Sequence, residues 1–262
     1  MKDKFNTTNC LLMQYNILKG MFFDELHETK EYILCTSKIM DDYYWNLAYL
    51  KNKTNDKVIE EIESKMINLK RTPCIYIGSG EPAYSYNRDL IEKRGFKLKD
   101  SDVYMLLKNR LNIDINTKIK IVETKTEYND FMKVLSSAFN DNVENEDENF
   151  YQNAVTDCYY KAIKSSIGNG KTYHIIAYDN NIPVSVATLN MYNNIGGINN
   201  VGTHQGYWNR GYSKQVLAYL INLFKEKGGE HLILCTEYNT KNQTFYEHLG
   251  FDAIYVMEQY VK

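Results

Sequence analysis

Proline is scarce in this chain, at 3 residues in 262, and glycine is held to 14. Collagen-like repeats, proline-rich spacers and low-complexity disorder are thereby excluded. Net charge is nearly absent too, at −2, and only Arg71, Arg88, Arg94, Arg110 and Arg210 supplement lysine as permanent cations. No global basic field draws such a chain to nucleic acid or to anionic lipid, so neither is expected as a partner. Five cysteines (Cys10, Cys35, Cys74, Cys158, Cys235) make an odd number without a CxxC pair, which argues against a disulfide framework and against a zinc site, and no metal is expected. No window approaches 18 uninterrupted apolar residues, and the opening MKDKFNTTNCLLMQYNILKG has no long apolar stretch with a small-residue cleavage site. A cytoplasmic, reduced protein with no membrane span is the expectation.

What is present is ordinary for a folded chain: 44% apolar and 24% charged residues. The length allows one large domain or two modest ones. Tyrosine is abundant, at 23 residues, and its amphipathic ring suits either a polar cleft or general packing.

The C-terminal half is the better punctuated. Residues 173–178 form an apolar run closed by Asp179-Asn180-Asn181, a hairpin signal, and 182–191 alternate as the returning strand. A third strand is predicted over 197–204. Tyr212, Val216, Leu220 and Phe224 then recur every four residues, with Lys225 and Lys227 in the last turn and Gly228-Gly229 as a stop, which predicts a long helix. Residues 231–235 read as a strand, Asn239 is suited to cap a helix running to Leu249, and Gly250 ends it before a strand over 251–261. Residues 127–140 and 149–168 read as two earlier helices. Antiparallel hairpins followed by a β-α-β crossover give an α/β (α+β) fold, a mixed and mostly antiparallel sheet flanked by helices.

The N-terminal half repeats part of this order, with strands at 31–36, 43–50, 74–78 and 96–107 and helices at 56–70 and 84–94. Glu92, Gly95 and Phe96 recur as Glu247, Gly250 and Phe251, each set followed by a strand containing a methionine, Met105 or Met257. Two tandem related domains are expected, over 1–110 and 118–262, joined through the polar stretch 108–118.

One segment carries chemistry. VGTHQGYWNRGYS, from Val201 to Ser213, reads as a strand end, a loop with two glycines and a helix start. The first turn of a helix exposes unpaired N–H groups that bind phosphate without side-chain cations. Gly206 and Gly211 allow close backbone approach, and Arg210 adds one cation. A plain strand-to-helix turn is the other reading of the same residues. Neither a Walker P-loop nor a GxGxxG fingerprint occurs. The second element is Asn239 through Phe251, with Asn239 and Tyr246 seven apart on one helix face.

Together these segments resemble the GNAT superfamily of acyl-CoA-dependent N-acyltransferases over about 119–262. The family's pyrophosphate motif, Gln/Arg-x-x-Gly-x-Gly/Ala, is met at Gly211, while Trp208 and Ser213 depart from it. Its second signature, Asn-x-x-Ala-x-x-Leu/Phe-Tyr and then Gly-Phe, is met at Asn239, Phe245, Tyr246, Gly250 and Phe251, with Asn242 in place of Ala. The resemblance implies acetyl-CoA as cosubstrate and transfer of an acetyl group to a primary amine of a small molecule or amino acid derivative. It assigns Val201, Gly202 and Thr203 to pantetheine, Trp208, Asn209, Arg210, Gly211, Tyr212 and Ser213 to pyrophosphate, Asn239 to the pantetheine arm, and Tyr246 to the departing thiolate. In the first half Ile91 stands at the position of Tyr246 and no glycine loop precedes the helix at 56–70, as in a GNAT-like domain without a cofactor site.

No secure general base is readable. Asn199 and Asn200 occupy the central strand, Leu234 stands where some relatives carry Glu, and Glu237 and His204 are near in sequence only. Cys235, at a strand end, suits covalent acyl transfer or, as the simpler reading, a buried thiol that only packs. The acidic run 141–149 reads as a solvated loop or as an attraction for a cationic amine. A catalytically weak acyl-CoA-binding or regulatory protein is the alternative, and an aminoacyl-tRNA-dependent transferase is disfavoured by the low Arg content. The assembly stays open, a homodimer included.

Overall fold

A computed structural model describes residues 15, 18–20, 22–38, 40–109, 113–139, 157 and 160–262. Cys10, Cys158, Arg110, the acidic run and most of the helix expected over 149–168 lie outside the described residues, with helical backbone present at 160–166. The chain divides into two compact units. The first comprises Met1–Met105, Cys235–His248 and Asp252–Lys262, and the second Leu106–Leu234 with Leu249–Phe251.

The first unit orders its strands β1-β2-β3-β4-β11-β5. These are β1 (Glu25–Glu28), β2 (Tyr32–Thr36), β3 (Leu47–Leu50), β4 (Cys74–Gly78), β5 (Lys97–Leu107) and β11 (Phe251–Val261). β1/β2, β2/β3 and β4/β11 pair antiparallel, and β3/β4 pair in parallel, where Ala48 faces Ile75 and Tyr49 faces Tyr76. Helix α1 (Asp56–Asn68) buries Ile59, Ile62 and Met66, and helix α2 (Tyr84–Lys93) buries Ile91. All four join Tyr32, Leu34, Leu50, Ile75, Ile77, Phe96 and Tyr260 in one core. Asn55 caps α1, its side chain accepting from the N–H groups of Lys57 and Val58.

The second unit runs β10-β9-β8-β7-β6, with β6 (Lys118–Ile121), β7 (Thr172–Asp179), β8 (Ile182–Tyr192), β9 (Ile195–Thr203) and β10 (His231–Glu237), whose last three residues belong to the first unit. The β7/β8 hairpin turns on Asn180 and Asn181, both left-handed at φ 48° and 69°, as a two-residue turn requires. Helices α3 (Lys125–Phe139) and α4 (Tyr212–Glu226) cover opposite faces of this sheet. A Cβ on Gly202 would meet Ala138 of α3, and one on Gly196 would meet Phe224 of α4. Six residues apart on an unbroken strand, Gly196 and Gly202 would share a face. The register between β8 and β9 shifts by one residue between Val186 and Thr188, leaving Asn200 and Val201 opposite Ala187, and this bulge reverses the alternation. Asn200 takes the left-handed conformation there, at φ 55°, which asparagine tolerates.

The structure differs from the sequence reading in four places. Residues 43–45 form a 3-10 turn, so β3 begins at Leu47 and not at 43, because Asp42 caps Tyr44 and starts a helical turn. β1 and β6 were not anticipated. They are four-residue strands too short to show a period, and they are defined by their partners β2 and β7. The N-cap position of helix α5 (Lys241–Glu247) falls on Thr240, whose side chain makes no capping bond, and not on Asn239, which sits at φ 59°, outside the extended region a capping residue occupies. The repeated Glu-x-x-Gly-Phe is matched by repeated geometry. Gly95 and Gly250 are left-handed at φ 90° and 86°, Phe96 and Phe251 are buried, and each leads along an 11-residue strand to a buried Met105 or Met257.

Candidate functional site

In the second unit β9 and β10 pair in parallel from Ile195/His231 to Ile198/Leu234. β9 then continues to Thr203, held on its other side by β8. The stretch Asn199–Thr203 therefore keeps one backbone edge clear of the β10 ladder, and such an edge can pair with an extended ligand. Val201 and Thr203 are half-buried and Gly202 is buried. Ser185 ties the strand end from below, its hydroxyl donating to the Gly202 carbonyl at 2.9 Å and meeting Thr203 Oγ1 at 2.9 Å.

The loop after Thr203 is built from short local bonds. His204 caps the 3-10 turn Gln205–Tyr207 by accepting from Gly206 N–H. Trp208 is 52% exposed and donates its indole N–H to the Thr203 carbonyl at 2.7 Å. This contact explains what replaces the polar residue expected at that position: the indole folds back on the strand end and fixes the loop. The Arg210 guanidinium lies 5.0 Å from the centre of the Tyr207 ring. Asn209 and Gly211 are both left-handed, at φ 61° and 80°, and Gly211 stands at the N-cap of α4.

The decisive feature is what does not cap that helix. Among the described residues no side chain bonds the first N–H groups of α4, and its first turn holds no acidic residue. A Cβ at Gly211 would meet nothing within 4 Å, so the approach to these groups is open. Half-buried Ser213 lies in this first turn and Lys214 is exposed beside it. Tyr212 is partly spoken for, since its hydroxyl bonds the Asp179 carboxylate, which raises the phenol's pKa. An exposed helix start with two left-handed residues before it has the backbone geometry that suits an anion. A cleft of about 560 Å³ opens beside it, with Lys118, Asp179, Arg210 and Tyr212 among its walls.

Residues 139–251 match the Acetyltransferase (GNAT) family. The C-terminal half carries a GNAT domain. No curated protein matches the chain. Among solved structures it is similar to a functionally unknown conserved protein from Staphylococcus epidermidis, at TM-score 0.70 and 17% identity over 92% of this chain and 94% of that one. It is also similar to a GCN5-related N-acetyltransferase from Kribbella flavida, at 0.68 and 11% over 95% and 94%. A third similar structure is a tandem GNAT protein from the clavulanic acid biosynthesis pathway, at 0.59 and 7% over 88% and 78%. At these identities the likeness is one of fold: a mixed, mostly antiparallel sheet flanked by helices. The GNAT family supports acyl-CoA-dependent acetyl transfer as the general class of activity. Among the described residues no helix is long and apolar enough to cross a membrane, and no group of three His, Cys, Asp or Glu could hold a metal.

Of the remaining signature residues, Asn239, Phe245 and Tyr246 lie in the first unit and Gly250 and Phe251 in the second. Asn239 donates its backbone N–H to the Gln243 side chain at 2.8 Å. Tyr246 is half-buried in α5, its ring edge-on to Phe245 at 5.2 Å, and burial pushes its phenol up to about 12. Ile91 is fully buried in the first unit's core, as a structural residue should be. Burial drives the Cys235 thiol well above its ordinary range, which leaves it protonated and a poor nucleophile. Glu237 is exposed and Leu234 is packed.

Sequence reasoning missed Asp102. It lies on β5 two residues from Asp100, so both carboxylates project from one face. Burial, with Asp100 and Glu237 repelling it, raises its carboxyl to about 7. The Asp-Ser-Asp spacing within a strand was the available signal.

Proposed function

We propose that the protein is an acetyl-CoA-dependent N-acetyltransferase acting on a primary amine of a small molecule or amino acid derivative. The uncapped start of α4 behind the left-handed Gly211 is the observation that carries this reading. In it, backbone groups of Val201, Gly202 and Thr203 pair with pantetheine, and the segment Trp208–Ser213 receives the pyrophosphate. Asn239 contacts the pantetheine arm. The amine lone pair attacks the thioester carbonyl, the C–S bond breaks, and the CoA thiolate leaves.

Tyr246 faces that thiolate in this reading. A thiol has a pKa of about 8.5, and the Tyr246 phenol stands at about 12. Complete proton transfer from the phenol to the thiolate would run uphill. Tyr246 therefore works as a hydrogen-bond donor that stabilises the thiolate, with the proton arriving finally from the attacking nitrogen, which becomes the amide.

The domain reading belongs here as well: a GNAT domain over 118–262, and a degenerate GNAT-like domain over 1–110 without a cofactor site. The contrast between the two helix starts supports it. Asn55 caps the first free N–H groups of α1 with its side chain, whereas Gly211 at the N-cap of α4 has no side chain to do so.

Tyr246→Phe, assayed for acetyl transfer to an amine panel and for acetyl-CoA binding, tests the proposal. Turnover falls by about tenfold to a thousandfold while binding persists. Unchanged turnover in the variant removes Tyr246 from the mechanism. Binding without turnover in the parent protein, over every amine tried, favours an acyl-CoA-binding or regulatory role, which the absence of a secure base in the sequence also suggests.

A further inference from the structure

Three buried polar residues of the second unit, Ser166, His174 and Thr188, form one directed chain. Ser166 is 4% exposed, His174 1% and Thr188 0%. The Ser166 hydroxyl donates to the Ile163 carbonyl at 2.8 Å, and the same oxygen lies 2.8 Å from His174 Nε2. A hydroxyl has one hydrogen. With that hydrogen on Ile163, the Ser166 oxygen must accept, so Nε2 carries the ring proton. The Ile163 carbonyl also favours a proton on this ring.

The other nitrogen follows by elimination. A ring desolvated this completely stays neutral at ordinary pH, its pKa lowered to about 4 by burial, and a neutral imidazole has one bare nitrogen. His174 Nδ1 is that nitrogen, 2.9 Å from Thr188 Oγ1, and it takes the threonine hydrogen. Thr188 Oγ1 then has only lone pairs left, and Asn200 Nδ2 donates to it at 3.2 Å. The amide of Asn200 is thereby oriented, since the opposite flip would set oxygen against oxygen. The edge of the Phe131 ring closes the site at 5.2 Å from the imidazole.

We infer that His174 is a positioning residue whose hydrogen bonds, relayed by Thr188, hold Asn200 and with it the β9 bulge and the backbone edge at Val201–Thr203. Asn200 is one of the two residues that oppose Ala187, and it carries the left-handed turn of the bulge. Its side chain is fixed from β7 and β8, while Ser185 fixes Gly202 and Thr203 just beyond it. The bulge is clamped on both sides, and the chain through His174 is the clamp that contains a titratable ring. The consequence for acyl-CoA rests on the acetyltransferase reading. The mechanical claim about Asn200 does not.

Thr188→Val removes the hydroxyl at nearly constant shape, and Thr188→Ser retains it. Nitrogen NMR of the His174 ring in the full chain is expected to show Nε2 protonated and Nδ1 bare. In Thr188→Val the amide hydrogens of Val201–Thr203 exchange about tenfold faster, while those of Ile195–Gly197 on the same strand keep their rates. Thr188→Ser restores the original pattern. The KM for acetyl-CoA rises in the valine variant more than kcat falls. A proton found on Nδ1, or faster exchange spread evenly along β9, or unchanged exchange at Val201–Thr203, overturns the inference. If the parent protein binds no acetyl-CoA, the acetyltransferase reading fails, and the ring and exchange readouts still decide the clamp.

Discussion

Gly202 and Ala138 stand at the limit of approach: a methyl built on Gly202 would lie 2.7 Å from the Ala138 Cβ. That neighbour sits on the backbone of α3 and cannot swing aside. Gly202→Ala therefore has to push α3 off the strand, and a loss of about 1–3 kcal/mol is expected from overpacking. Denaturant unfolding measures it. A neutral substitution would mean that α3 is not seated on the β9 end.

Gly211 provides the contrast. Its surroundings are open, so Gly211→Ala meets no atom and is strained only by its φ of 80°. The expected cost in stability is about 1 kcal/mol. Acetyl-CoA affinity should fall more than stability does, because the added methyl projects where a phosphate would approach. Calorimetric titration of the variant checks this, and an unchanged affinity would detach Gly211 from the site.

Asp102 makes stability depend on pH. Its native carboxyl titrates near 7, against about 3.9 unfolded. Between these values the native state holds a proton that the unfolded chain has released. Stability therefore falls as pH rises through this window. Asp102→Asn is expected to stabilise the protein at pH 8, by at most about 4 kcal/mol, and to change little at pH 4. Melting curves at the two pH values decide it, and an equal loss at both would contradict the assignment.

Glu127 acts in the opposite sense. Its carboxylate accepts from Glu123 N–H, Thr124 N–H and Thr124 Oγ1, while Thr124 Oγ1 accepts from Glu127 N–H. Lys120 adds an ion pair at 2.6 Å, and these contacts hold the carboxyl at about 2. The stabilisation is complete above the unfolded carboxylate value and is lost as pH falls toward 2. Glu127→Ala should cost about 1–2 kcal/mol at pH 7 through loss of the cap. The difference from the parent protein should shrink in acid unfolding below about pH 4, and a deficit that does not vary with pH would remove the carboxylate from that role.

Much of the second unit was legible because its elements are long and amphipathic. The four-residue recurrence from Tyr212 to Phe224 became α4, and Asp179-Asn180-Asn181 became the hairpin turn. The loop Trp208–Ser213 was legible through glycine and a strand-to-helix change, although the indole bond of Trp208 to Thr203 was not. β1 and β6 escaped because four residues cannot display a period. The bulge at Asn200 escaped because it exists only as a register between two strands. The buried chain from Ser166 to Asn200 escaped for the same reason: its members are scattered over 35 positions and meet only once three strands align. Asn239 misled because an N-cap and a left-handed residue just before one share the same preferred residue types.

The most direct test is a calorimetric titration of the full chain with acetyl-CoA. The start of α4 follows the two left-handed residues Asn209 and Gly211, and the start of α1 is capped by Asn55, so saturable binding of one acetyl-CoA per chain is predicted. Binding of two molecules per chain, or none, would contradict it.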